Sequence, residues 1–155
     1  MAGRTTELRK AIKDVFIPCL AAKGFAIDNR HAPGTILFRR TADDRLHICD
    51  IQWEKYGKPR FILNVGETKL KDRQPETIGT WDCETYLQLK PKSGASTGNW
   101  FRQDRPLLYR LVTKQELYPA SEVVKTLITL FAEAEEFWDK GLIGPHIQAV
   151  RQAHP

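Results

Sequence analysis

The stretch that decides the fold is Arg45–Lys55, RLHICDIQWEK. It interleaves His47, Cys49, Ile51 and Trp53 with Leu46, Ile48, Asp50, Gln52 and Glu54. Successive side chains of a strand point to opposite faces, so this two-residue period with β-branched and aromatic content predicts a strand. The first set is the more apolar and is expected to face a core. The second begins apolar and turns polar, which leaves that face partly open. The expectation is a central sheet strand whose half-polar face is the first place to look for a site.

On either side the chain repeats the pattern. Thr35–Arg40 reads as a strand and is separated from Arg45–Lys55 by Thr41-Ala42-Asp43-Asp44. A Tyr56-Gly57-Lys58-Pro59 turn then leads into Arg60–Gly66, with Phe61, Leu63 and Val65 on one face and Ile62 and Asn64 on the other. Connections this short join antiparallel neighbours, so the three strands predict a meander. Phe25–Asn29 reads as a short preceding strand, closed by the turn residues His31-Ala32-Pro33-Gly34, and another strand is expected near Thr85–Lys90. Leu107–Lys114 is read as a further strand or an extended segment. Residues 67–80 and Pro91–Asn99 read as long surface loops.

Helices are expected at both ends. Leu8, Ile12, Val15, Phe16, Cys19 and Leu20 recur at three- and four-residue steps after a Thr5 or Thr6 cap. Pro18 is expected to kink the last turn and Gly24 to end it. Ala120–Lys140 carries a second stripe, Val124, Leu127, Ile128, Phe131, Ala134, Phe137 and Trp138, and His146–Gln152 is read as a short last helix. The resulting fold class is α+β: one domain over residues 1–155, an antiparallel β-sheet of about five strands, and N-terminal and C-terminal amphipathic helices packed on one face.

At 155 residues, 41% apolar and 28% charged, the chain can bury a core without disulfide or metal. No window holds 18 consecutive apolar residues and the first residues carry no signal-type apolar run, so a cytoplasmic protein without a membrane span is expected. The net charge of +5 is uneven: +5 over residues 1–60, +3 over 61–114 and −3 over 115–155. Such a distribution suits nucleic acid or an acidic protein, and equally an ordinary solvated surface.

The three cysteines, Cys19, Cys49 and Cys83, form no CxxC pair and read as buried, reduced thiols. Of the four histidines, only His47 shares a strand face with a cysteine, and no second pair completes a zinc set. No phosphate-binding G-x-x-x-x-G-K-[ST] or G-x-G-x-x-G is present, and no metal or other cofactor is expected. Two looser constellations stand out. Asp50, Gln52 and Glu54 alternate on one face, with Asn64 beside them and Arg39 or Arg40 entering from the strand before. That row reads either as a ligand-binding floor or as a solvated face laced with cross-strand ion pairs. Lys90, Lys92, Trp100, Phe101, Arg102 and Arg105 mix positive charge with aromatics, which suits a phosphate backbone with stacked bases or a loop anchored to the core.

Several phrases of the chain resemble the bacterial proteins grouped as domain of unknown function 4304. They are Leu20-Ala21-Ala22-Lys23-Gly24-Phe25, Phe38-Arg39-Arg40, Ile51-Gln52-Trp53 and Phe61-Ile62-Leu63-Asn64-Val65-Gly66, covering about residues 5–66. The resemblance implies an α+β fold and an intracellular bacterial origin, and supplies no catalytic residue. Small bacterial proteins of this layout include immunity partners of toxins. The functional expectation is therefore a non-enzymatic binding module for a protein partner. The alternative is an enzyme or binder acting on nucleic acid or a phosphate-bearing ligand, with Asp50 and Glu54 as acid–base residues and Arg39, Arg40 and Arg102 as phosphate contacts.

Overall fold

In the computed structural model, which describes residues 5–32, 34–93, 98–115 and 117–151, the chain folds around a seven-stranded antiparallel sheet. Pro33, residues 94–97, Gln152 and His154 lie outside that set, as does the side chain of His31. The strands are β1 (Ala26–Ala32), β2 (Thr35–Ala42), β3 (Arg45–Trp53), β4 (Arg60–Lys69), β5 (Thr85–Leu89), β6 (Phe101–Arg102) and β7 (Ile147–Arg151). Their order is β1-β2-β3-β4-β5-β7, and the stub β6 pairs with the first two residues of β4, beyond the reach of β5. The expected meander is thus the centre of the sheet. The register sets Asp50 opposite Asn64 and Asn64 opposite Gln88, one polar row across three strands.

The N-terminal helix runs as α1 (Thr6–Ala11), a π-helical segment Ile12–Phe16, and α2 (Ile17–Ala22). Pro18 lacks the N–H that would bond residue 14, and the turn before it widens, the Ile17 N–H bonding back to Ile12. The widened turn stretches the buried stripe to a strict four-residue step, Leu8, Ile12, Phe16 and Leu20, and leaves Val15 exposed. At Gly24, with φ of 90°, the Phe25 N–H bonds the Leu20 carbonyl and the Gly24 N–H that of Ala21, a Schellman end that turns the chain into β1.

The long helix α4 (Ala120–Lys140) buries Val124, Leu127, Phe131, Ala134, Phe137 and Trp138. It lies with the N-terminal helix on the sheet face that carries Phe38, Cys49, Ile51 and Trp53, and the three layers share one core. Both amphipathic helices therefore cover a single face. Between Leu107 and Thr113 the chain forms a helix, α3, and not the strand or extended segment expected. Pro106 fixes φ before its first turn, and Lys114 ends it with φ of 57°. The expected last helix is instead β7. Five residues are too few to hold a helix in water, whereas the free edge of β5 offers a ladder of backbone partners. Glu133 of α4 steers this return by accepting the His146 N–H at 2.9 Å and its Nδ1 at 2.6 Å.

Gly66 marks where both faces of the sheet close on the backbone. A Cβ there would stand 2.8 Å from Cys83 Sγ and 3.0 Å from Ile48 Cγ2, while the Gly66 carbonyl accepts the Trp138 indole N–H at 3.0 Å. Gly66→Ala is expected to cost about 1–3 kcal/mol by overpacking. A lowered urea midpoint checks this, and an unchanged one would contradict the close packing.

Candidate functional site

The half-polar face of β3 is covered. After β4, residues 70–83 fold back over it through two short 3-10 turns, Pro75–Thr77 and Thr80–Asp82. Leu70, Ile78 and Cys83 pack on Leu37, Leu46 and Ile48 to make a second small core. Arg39 ties the segment down: its Nε and Nη2 donate to the Ile78 carbonyl at 3.0 and 2.9 Å, and its Nη1 meets Asp28 at 2.9 Å.

Beneath this cover lies a polar network centred on Asn64, only 1% exposed. Its Nδ2 donates to Asp50 Oδ1 at 2.8 Å and to Gln52 Oε1 at 3.4 Å. Its Oδ1 accepts from the Tyr86 hydroxyl at 2.8 Å and from Gln88 Nε2 at 3.1 Å. An amide has two donors and two acceptor lone pairs, so Asn64 is fully used. Asp50 accepts a further bond from the Thr80 hydroxyl at 2.5 Å, and Asn99 donates to Gln88 at 2.5 Å. Burial under the cover pushes the Tyr86 hydroxyl pKa upward. Of the residues singled out from the sequence, Asp50, Asn64 and Arg39 are buried here and Gln52 is exposed at the edge. Thr80, Tyr86, Gln88 and Asn99 complete the network and were not foreseen. The two-residue step from Tyr86 to Gln88 was the one available signal, since it places both on the face of Asn64.

Glu54 does other work. Its Oε2 accepts the N–H groups of Tyr56 and Lys58 at 2.8 and 3.0 Å, closing the β3–β4 turn.

Arg40 points to the opposite face from Arg39, as neighbours in a strand must. It forks onto Glu135 with two contacts of 3.1 Å, donates to the Lys23 carbonyl at 3.0 Å, and lies over the Phe25 ring. Its Nη2 also stands 3.1 Å from His47 Nδ1. A guanidinium has no acceptor, so Nδ1 receives this bond and the ring proton sits on Nε2, 3.3 Å from Glu67 Oε2. With both nitrogens engaged and the ring stacked on Trp138, His47 has no free nitrogen to activate a nucleophile.

Cys49, on the same face, is wholly buried, and burial pushes its thiol well above the ordinary value. Burial, reinforced by Asp82, lifts Cys83 to about 12. Native protein at about pH 8 is therefore expected to modify at the half-buried Cys19 alone, and at all three thiols once unfolded. For each raised thiol, stability is fully present below the unfolded value and declines as pH rises toward the folded one. The decline is up to about 1.4 kcal/mol per pH unit per thiol above about pH 9. Equal urea midpoints at about pH 8 and about pH 10 would contradict this.

Trp100 and Arg102 lie apart from the network, in a groove of about 350 Å³ closed by Phe101, Pro106, Tyr118 and Val123. Arg60 stacks on Trp100 at 4.8 Å, and Arg102 pairs with Asp104 at 2.7 Å. Each of the three arginines read as phosphate contacts is thus held by a carboxylate, Arg39 by Asp28, Arg40 by Glu135 and Arg102 by Asp104. Gly94-Ala95-Ser96-Thr97-Gly98 spells the G-x-S-x-G of a nucleophile elbow, which corrects the expectation that no such motif occurs. That device needs a strand-to-helix turn. Residues 94–97 lie outside the described set, and the next element is the strand β6. Among the described residues, no group of three or more His, Cys, Asp or Glu is arranged to hold a metal, and no helix is long and apolar enough to cross a membrane.

Beside the groove, α3 is turned inside out. It has no buried residue. At about 100° per residue, Leu107, Leu111, Leu108 and Val112 share one arc of about 140°. All four are exposed, Leu108 at 78% and Val112 at 83%. Their spacing in the sequence, two adjacent apolar residues repeated four positions on, is a helical signal, which the alternation of Leu107, Tyr109 and Leu111 masked. No family model, curated protein or solved structure matches the chain.

Proposed function

We propose that this chain is a non-enzymatic interaction module that holds a protein partner, as small immunity-type proteins do, and that α3 is where the partner docks. The observation that carries the reading is the apolar arc of α3, four large side chains displayed to solvent on a helix that contributes nothing to the core. A monomer gains nothing from such an arc, and contiguous exposed apolar surface marks an interaction site. Three observations weigh against the competing catalytic reading. Asp50 is spent on Asn64 and Thr80, Glu54 on a turn, and the phosphate-contact arginines on carboxylates. The resemblance to domain of unknown function 4304 remains part of this reading and adds a bacterial, intracellular setting.

Site-specific photo-crosslinking in cells tests it. A photoreactive residue in place of Leu108 is expected to form a protein adduct, and one in place of Gln52, exposed at the edge of the polar network, none. An adduct from position 52 alone would overturn the reading. So would turnover of phosphoester substrates that Asp50→Asn abolishes.

A further inference from the structure

The charge around α3 specifies what the partner presents. Residues 91–114 contain five Lys/Arg and one carboxylate, Asp104, so this short stretch holds +4 of the chain's +5. Asp104 is already paired with Arg102. Among the described residues, Arg105, Arg110 and Lys114 have no carboxylate partner. Arg105 instead lies over Tyr109 and Tyr118, and Arg110 Nε is buried without a hydrogen-bond partner. Arg110 and Lys114 flank Leu107 and Leu111 along a second shallow hollow on α3 itself. The apolar arc is therefore edged by cations.

Shape narrows the occupant further. Pro106 and Tyr118, which bracket α3, are also walls of the groove that holds Trp100, Phe101 and Val123. None of the four arc residues lines that groove; the concave flank of the arc is the hollow between Leu107, Leu111, Arg110 and Lys114. A second copy would set its own Arg105, Arg110 and Lys114 against these, a like-charge juxtaposition that disfavours pairing. A flat bilayer would cover the arc and leave this hollow empty. Aliphatic side chains do not stack on bases. Resting on the reading of α3 as the docking surface, we infer that its partner is an acidic amphipathic segment of another protein. Its apolar side chains lie along Leu107, Leu108, Leu111 and Val112, one of them fills the hollow beside Leu107 and Leu111, and its Asp or Glu residues meet Arg110 and Lys114. This is helix-in-groove recognition with an acidic rim.

A displayed library of random peptides, selected against the full chain, tests the inference. Enriched peptides are expected to carry apolar residues at three- and four-residue steps with an excess of Asp and Glu. A synthetic enriched peptide is expected to bind about tenfold more weakly to Leu108→Asp/Leu111→Asp and to Arg110→Glu/Lys114→Glu, and to weaken as salt rises. The four replaced side chains contribute no core, so far-ultraviolet circular dichroism should match the parent. The inference is overturned if no peptide is enriched or if enriched peptides are basic or uncharged. Indifference of peptide binding to both double variants overturns it too. So does Leu108-dependent binding of phosphatidylserine vesicles or of a single-stranded oligonucleotide in place of peptide. A crosslinked adduct at position 108 to a protein without an acidic segment would remove this inference while leaving the interaction module standing.

Discussion

Asn64→Leu lowers stability by about 3 kcal/mol, because it strands several buried polar groups at once. Leucine has nearly the shape of asparagine, so the core keeps its volume and loses only hydrogen bonds. The Asp50 carboxylate is left with Thr80 but without the Asn64 amide, and the Tyr86 hydroxyl and the Gln88 amide lose a common acceptor. For a chain of this length the melting temperature is expected to fall by roughly 10 °C. Gln52→Ala, at the exposed edge of the same network, is the control and should stay within about 0.5 kcal/mol. A loss under about 1 kcal/mol for Asn64→Leu would mean that water enters the face freely.

The larger effect belongs to the helical face. Phe131→Ala is expected to cost about 4 kcal/mol, the range of a fully buried phenylalanine that leaves a cavity. Phe131 stands edge-on to Phe16 at 5.7 Å, to Phe25 at 6.2 Å and to Trp138 at 5.8 Å. One ring therefore links α4 to the N-terminal helix and to the turn that begins β1. Its removal loosens Trp138 as well, whose indole bonds Gly66 on β4 and stacks on His47. Near-ultraviolet circular dichroism should weaken along with the denaturation midpoint. A variant with unchanged midpoint would show that the two helices do not share a core.

How much of this was legible in the sequence differs by element. The alternation in Arg45–Lys55 correctly separates Cys49, Ile51 and Trp53, under the helices, from Ile48 and Asp50 on the other face. What it cannot reveal is that the second face is covered. The cover comes from a polar stretch in which Ile78 and Cys83 supply the apolar contacts, and its anchor is a carbonyl bonded by Arg39. Long-range pairing of that kind leaves no local period. A row of Asp50, Gln52 and Asn64 looks the same in sequence whether it faces water or a loop. Likewise, Ile147–Arg151 is too short for periodicity to choose between helix and strand, and the vacant edge of β5 makes the choice. For α3, two valid periods coexist in seven residues, and the segment forms a helix between Pro106 and the left-handed Lys114.

If α3 displays its apolar arc for something other than its own fold, replacing that arc leaves stability intact. Chemical denaturation of Leu108→Asp/Val112→Asp tests this most directly. The expected midpoint lies within about 0.5 kcal/mol of the parent, as for any exposed substitution. A loss of about 2 kcal/mol or more, the cost of disrupting packed aliphatic side chains, would contradict it.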